Sequence, residues 1–338
     1  MKNKKQRRVR VIALILVAAM IFLAVASFLI SIVAAEESSD LPEATEWMAE
    51  IPDDTPVSCI TIPGTHDSAS NFIFPGYFLK CQNTSIKEQL ENGYRYLDIR
   101  LSLDESKDGT VRLKFIHNFG TCKKESGLFK DALYLEDVLE WVYAFLEDHP
   151  TETVIFCVKD EGKNDDPASF ESLFFDTIDE NPDMWYTKNM IPDLSKVRGK
   201  IILATRFPDA NDEGDLRTGL NFRWEEQNSK EVVELPYVQS MINDDQALWV
   251  QDRFKYNVDN KIDAFMDDLD NCQADENTFS LNFSSTSGSG TLSHPKGYAQ
   301  VINKAVLERE LESGTAYGVL IIDFATKELA QHIYAANF

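Results

Sequence analysis

Short apolar, β-branched runs recur along the chain, separated by stretches of helical periodicity. The runs cover residues 57–62, 94–101, 111–116, 153–158, 200–205, 247–251, 278–283 and 318–322. Each is short enough for a strand and is bounded by turn or charged residues. Residues 135–148 read as a helix, with Leu135, Val138, Leu139, Val142 and Leu146 on one face and Pro150 just beyond its end. Ser85 and Glu88 have capping-box spacing, and Gly93 supplies a stop. Weaker helical patterns cover 169–180, 259–270, 297–312 and 327–335. Eight strands alternating with helices predict an α/β fold, a closed (β/α)8 TIM barrel forming a single domain. A doubly wound open sheet is the alternative, but no glycine-rich phosphate loop follows the first run.

The first 35 residues break this rhythm. Lys2, Lys4, Lys5, Arg7, Arg8 and Arg10 precede an uncharged stretch from Val11 to Ala35. That stretch exceeds the usual signal-peptide core and reaches the roughly 20 residues that span a bilayer. Val33 and Ala35 are small residues placed for signal peptidase ahead of Glu36. Residues 1–35 therefore read as a cleaved signal peptide or as a retained N-terminal membrane anchor. Either way the rest is exported, secreted or anchored on the outer face of the cytoplasmic membrane, because the basic flank stays inside. Residues 36–54 read as an acidic linker and 55–338 as the catalytic barrel.

Composition then sharpens the picture. The 338 residues are 43% hydrophobic and 11% aromatic, which suits a packed domain rather than a disordered one. The leader takes six of the 33 basic residues and none of the 56 acidic ones, leaving the exported part at −29. Such a surface excludes sequence-independent nucleic-acid binding and electrostatic docking on anionic lipid. The five cysteines, Cys59, Cys81, Cys122, Cys157 and Cys272, are odd in number and irregularly spaced, so they do not form a disulfide framework. A single bridge between Cys81 and Cys122 stays open. No CxxC or Cys/His spacing suggests zinc, and no metal or other cofactor is expected.

A barrel carries its chemistry at the C-terminal ends of its strands. Those ends read Thr65-His66-Asp67-Ser68, Asp98-Ile-Arg100, His117-Asn118, Lys159-Asp160-Glu161, Arg206, Asp252-Arg253-Phe254, Ser284-Ser285 and Asp323. Seven of the eight finish on ionisable residues, whereas the strand centres carry few. Two of only five histidines stand there, while His149, His294 and His332 fall in helices and loops. Two imidazoles can act as general base and general acid in one step. An arginine between them can hold charge that develops on phosphorus, and carboxylates can orient the rings. This set suits phosphodiester cleavage by an internal hydroxyl.

The run Ile62-Pro-Gly-Thr-His66-Asp67-Ser68 resembles the opening motif of the bacterial phosphatidylinositol-specific phospholipase C X-domain family. The likeness continues through Tyr96-Leu-Asp98-Ile-Arg100, Phe115-Ile-His117, Val158-Lys159, Arg198-Gly-Lys-Ile-Ile-Leu-Ala-Thr-Arg206, Val250-Gln-Asp252, Leu281-Asn-Phe-Ser-Ser and Ile322-Asp323. The resemblance implies a distorted TIM barrel that cleaves phosphatidylinositol, free or glycosylated, without metal, giving diacylglycerol and inositol 1,2-cyclic phosphate. It implies that His66 deprotonates the inositol 2-hydroxyl while Asp323 holds its other nitrogen. His117, paired with Asp67, would protonate the leaving oxygen. Arg100, steadied by Asp98, would stabilise the phosphoryl oxygens. Lys159, Arg206 and Asp252 would read the inositol hydroxyls, and Phe254 stands where the family commonly has tyrosine. Asn118 stands where glycine is expected. Calcium-dependent relatives have an acidic ligand at the position of Arg100.

The expected partner is an inositol-phospholipid membrane surface, with no nucleic acid, and the enzyme is expected to be a monomer. Phe72, Phe74, Tyr77 and Phe78 follow the first strand and offer either membrane contact or ordinary packing under a loop. Two other functions stay open. One is a related barrel phosphodiesterase of the glycerophosphodiesterase or sphingomyelinase D type. The other is a catalytically idle exported X-domain that binds lipid or glycan.

Overall fold

The computed structural model describes residues 41–127, 129–162, 166–207, 218–290 and 294–338. The readings placed on residues 1–40 lie outside them. Among the described residues twelve strands are present: β1 (Ile62–Thr65), β2 (Tyr96–Glu105), β3 (Val111–His117), β4 (Gly120–Thr121), β5 (Thr153–Asp160), β6 (Trp185–Tyr186), β7 (Lys200–Thr205), β8 (Leu220–Asn221), β9 (Val238–Met241), β10 (Ala247–Gln251), β11 (Thr278–Phe283) and β12 (Val319–Ile322). The helices are α1 (Gly76–Leu79), α2 (Ile86–Glu91), α3 (Leu135–Asp148), α4 (Pro167–Ile178), α5 (Val258–Asn271), α6 (Pro295–Glu308) and α7 (Lys327–Tyr334), with short 3-10 turns between them.

The sheet curls in the order β6-β7-β5-β2-β1-β12-β11-β10-β9, with β8 beside β7. All neighbours along it are parallel except β9 with β10. Strand alternation sorts the core into an inside and an outside. From β2, Tyr96 points into the barrel with Ile62, Ile155 and Val319, while Leu97, Ile99 and Leu101 face outward against α3. Asp98 and Arg100 share the inward face of Tyr96, so the period of two carries both into the mouth. This is the distorted (β/α) barrel, in one unit from Glu43 to Phe338.

The helices begin where their caps say they should. Ser85 and Glu88 form the expected capping box on α2. Gly93 ends that turn at φ +106°, a conformation that costs glycine little.

Several expectations need correction. The first strand starts at Ile62, because Pro56 opens a 3-10 turn over Val57–Cys59 in which the Cys59 N–H donates to the Pro56 carbonyl. The 111–116 run is no barrel stave. It pairs antiparallel with β2 and forms a hairpin arm that also carries β4. Seven of the eight predicted runs are therefore parallel staves. The first and last lie side by side as expected, from Ile62 opposite Val319 to Thr65 opposite Ile322. The wall is not closed by a ladder everywhere. Among the described residues no backbone pairing joins β8 to β9. Side-chain amides span this seam: Asn221 Nδ2 donates to the Met241 carbonyl at 3.1 Å and Asn189 Nδ2 to the Ile242 carbonyl at 2.8 Å. Asn243 Nδ2 donates to the Asn189 carbonyl at 2.7 Å.

The linker assignment also fails beyond residue 43. Ala44, Trp47 and Met48 are buried in the barrel core. Trp47 stacks on Tyr334 with centroids 5.3 Å apart, and its Nε1 donates to the Gly93 carbonyl at 2.9 Å. The Met48 N–H reaches Glu152 Oε1, and Arg95 Nη2 donates to the Ala44 carbonyl. Arg95 and Glu152, both fully buried, are themselves paired at 2.9 Å. This strap seals the N-terminal end of β2 and β5. Its acidic composition, with only a few apolar residues, hid it in the sequence. All five cysteines are free thiols, so no Cys81–Cys122 bridge forms.

Candidate active site

Each stave delivers its polar residues to one end of the barrel. The His66 N–H continues the parallel ladder by donating to the Ile322 carbonyl at 3.2 Å. Gln82 then locks the two strand ends together, its Nε2 donating to the carbonyls of His66 and Ile322, both at 2.8 Å. Below them Ser68 Oγ accepts from the Asp98 N–H at 2.9 Å, and Thr65, Ser68 and Gln89 share a buried hydrogen-bond cluster.

Among the described residues three non-glycine residues have positive φ: Asp67 (43°), Asn118 (55°) and Phe324 (51°). Each directly follows a candidate catalytic residue, respectively His66, His117 and Asp323. The left-handed turn stops the strand and swings the preceding side chain over the mouth. Asp and Asn accept this conformation more readily than most residues, whereas at Phe324 it stores strain. The asparagine that replaces the expected glycine thus keeps the backbone a glycine would adopt.

The two histidines meet different partners. His66 Nδ1 lies 2.7 Å from Asp323 Oδ1, and its Nε2 lies 2.9 Å from Arg100 Nη2. A guanidinium only donates, so in this arrangement Nε2 is the acceptor and the proton sits on Nδ1. His117 has Nδ1 at 2.7 Å from the Leu79 carbonyl and Nε2 at 3.1 Å from Asp67 Oδ2. Both of its partners are acceptors, so both ring nitrogens carry hydrogen in this arrangement. One ring is set to take a proton and the other to give one. Their centroids are 6.3 Å apart with the planes at 80°.

Asp67 lies between them. Its Oδ2 is 3.4 Å from His66 Nε2 and its Oδ1 is 3.1 Å from Arg100 Nε. Arg100 is held further by Asp98 Oδ2 at 2.9 Å and Glu161 Oε1 at 3.5 Å. Burial alone would lower the His66 imidazole, but the charges of Asp323 and Asp67 outweigh it and raise it to about 9. A proton on Nε2 is incompatible with the Arg100 contact, so protonation must turn Nε2–H toward Asp67. Burial would raise the Asp98 carboxyl, yet Arg100, His66 and Arg206 hold it far below the usual range. Glu161 is half-buried, and against that burial Arg100 and Lys159 bring its carboxyl down to about 2.

A cavity of about 380 Å³ opens over these groups. Lys159, Arg206, Asp252 and Phe254 line it with His66, Arg100, His117 and Asp323. Lys159 lies opposite Arg100 in the β2–β5 register, and Glu161 bridges the two cations. The Arg206 guanidinium stacks on Trp224 at 3.8 Å. Its Nη1 is buried without a hydrogen bond, 3.8 Å from the equally unbonded Asp98 Oδ1. The sequence reading assigned no role to Glu161, although it stood in the strand-end pattern. Cys81 was considered only as a bridge partner, and Trp224 and Glu226 were not singled out, since these lie on irregular segments with no periodicity to mark them.

The rim aromatics separate into two pairs. Phe74 and Tyr77 are 62% and 60% exposed. Phe72 and Phe78 are half-buried, and Phe78 lines the cavity. Phe119, on the turn just after His117, is 71% exposed and was not anticipated. His294 caps α6, its Nδ1 accepting from the Gly297 N–H, and packs on Tyr77 with centroids 4.6 Å apart.

A family model described as phosphatidylinositol-specific phospholipase C, X domain, matches residues 62–207. The 1-phosphatidylinositol phosphodiesterase of Listeria monocytogenes is 30% identical over 309 residues, covering 86% of this chain and 84% of the relative. That of Staphylococcus aureus is 27% identical over 311 residues, covering 86% and 92%. Among solved structures, the S. aureus phosphatidylinositol-specific phospholipase C superposes with a TM-score of 0.71 at 22% identity, covering 88% of this chain and 98% of that one. The L. monocytogenes enzyme superposes at 0.66 and 26% identity, covering 88% and 100%.

Proposed function

The chain belongs to the phosphatidylinositol-specific phospholipase C X-domain family, and on that footing we propose that it cleaves phosphatidylinositol to diacylglycerol and inositol 1,2-cyclic phosphate without a metal ion. The observation that carries this reading is the pair of imidazoles in opposite hydrogen-bonding states, sharing Asp67 beside one arginine.

His66 Nε2 takes the proton of the inositol 2-hydroxyl as that oxygen attacks phosphorus. Asp323 on Nδ1 stabilises the imidazolium that forms. Arg100 leaves Nε2 for the phosphoryl oxygens, where charge accumulates. His117 gives its Nε2 proton to the departing glycerol oxygen, and Asp67 aims that ring. Lys159, Arg206 and Asp252 read the ring hydroxyls, with Phe254 against the ring face. The substrate lies in a membrane, and Phe74 and Tyr77 provide the contact with it. The enzyme acts as an exported monomer, secreted or anchored outside the cytoplasmic membrane.

The test is phosphorus NMR and diacylglycerol release on phosphatidylinositol vesicles, with and without chelator. Cyclic phosphate should appear at the same rate in both. Absence of turnover would favour an idle lipid- or glycan-binding domain, and a strict calcium requirement would remove Arg100 from its assigned task.

A further inference from the structure

No spacing along the chain suggested a metal, yet folding brings three ligand-type side chains together at the active pocket. His66, Asp67 and Cys81 offer ligand atoms that all lie within 4.8 Å of one another. His66 Nε2 is 3.4 Å from Asp67 Oδ2, and Cys81 Sγ is 3.9 Å from the same oxygen. Tetrahedral zinc, with bonds of about 2.3 Å to sulfur and about 2.0–2.1 Å to nitrogen and oxygen, sets ligand separations of about 3.4 Å for N and O and about 3.6 Å for S and O. Two of the three separations are therefore near their bound values before any ion arrives.

A second observation points the same way. His66 Nδ1 is held by Asp323 at 2.7 Å, so Nε2 is the nitrogen open to a metal once Arg100 Nη2, now 2.9 Å from it, withdraws. A carboxylate on the far nitrogen is how metal-bound histidines are usually oriented.

We propose that this pocket is an inhibitory site for a thiophilic divalent cation, with zinc as its type, bound by Cys81 Sγ, His66 Nε2 and Asp67 Oδ2. Binding exchanges the Cys81 S–H bond for a Zn–S bond and releases that proton to solvent, and below about pH 9 the His66 Nε2 proton is released with it. Arg100 must leave His66 Nε2, and His117 Nε2 must yield Asp67 Oδ2, its partner at 3.1 Å. The ion occupies the lone pair that would receive the substrate proton, so bound zinc and turnover exclude each other. In its inhibitory consequence the inference rests on the phospholipase reading. Zinc here is an inhibitor and not a cofactor.

The experiment uses the full chain with zinc chloride alone, followed by calorimetry, and cobalt as a spectroscopic substitute. The unsubstituted protein should bind one equivalent and show a thiolate-to-cobalt charge-transfer band. Cys81→Ala and Cys81→Ser should each abolish the band. Measured against each variant's own metal-free rate, each should raise the inhibiting zinc concentration at least tenfold. Zinc binding or inhibition unchanged in both variants, or no binding by the unsubstituted chain, overturns the site. Because binding and the band need no substrate, a chain that binds zinc through Cys81 but leaves phosphatidylinositol intact would overturn the phospholipase reading alone.

Discussion

His66 and His117 lie at the mouth of one barrel, but their neighbours give them opposite hydrogen-bonding states. General acid–base groups are worth roughly 10²–10⁴-fold each. His66→Ala and His117→Ala should each lower kcat by that order while both variants still unfold cooperatively. The double variant should fall short of the product, since both rings serve one step. His149→Ala and His332→Ala, away from the cavity, should keep near-normal rates in the same assay. Titration supplies a second check. With the His66 value raised to about 9 by Asp323 and Asp67, the folded protein holds this proton more tightly than the unfolded chain, whose value is near 6.5. That contribution to stability is fully present below about 6.5 and is lost as pH rises through about 9. Asp323→Asn should move the His66 NMR titration downward, and an unchanged midpoint would remove Asp323 as its cause.

At the level of elements, the strand ends were legible because barrel staves announce themselves. A buried β-branched run that ends on a charged residue has few other readings. The same logic misplaced the 111–116 run, since alternation shows a strand but not its direction, and only the pairing partner distinguishes a hairpin arm from a stave. The 41–54 strap was illegible for a different reason. Trp47 and Met48 bury themselves in a segment too short and too acidic to show a period. His117 sits at the tip of the hairpin arm, and the backbone of Asn118 at φ 55° turns it toward Asp67. Asn118→Gly should therefore preserve activity. Asn118→Val should cost about 1–3 kcal/mol in denaturant unfolding and reduce turnover, because a β-branched residue resists that conformation. Equal behaviour of the two would show that the turn does not position His117.

Across the whole molecule, charge and lipid are at odds. Residues 36–338 carry −29, so they should be repelled at long range from anionic vesicles, and salt should relieve the repulsion beyond a Debye length of about 10 Å at 0.1 M. Attraction must come from buried apolar surface, for which Phe74 and Tyr77 are the exposed candidates. Each aromatic is worth roughly 1.5–3 kcal/mol when fully buried. Phe74→Ser with Tyr77→Ser should weaken vesicle binding by an order of magnitude or more. Cleavage of a water-soluble inositol phosphodiester should fall much less. Added salt should leave binding equal or stronger, and a steep loss with salt would reveal a basic patch steering the enzyme to the surface.

The seam between β8 and β9 bears on how the barrel wall behaves under load. A ladder resists dilation because parting two strands breaks many bonds at once. Here side chains take the place of the ladder, three asparagines together with Ser240 Oγ donating to the Arg223 carbonyl at 2.6 Å, each hydrogen bond worth only about 1 kcal/mol net. The barrel is thus hooped all round but buttoned at one place. When it breathes, the opening should start at those buttons, while the β1–β12 junction that holds His66 and Asp323 stays shut.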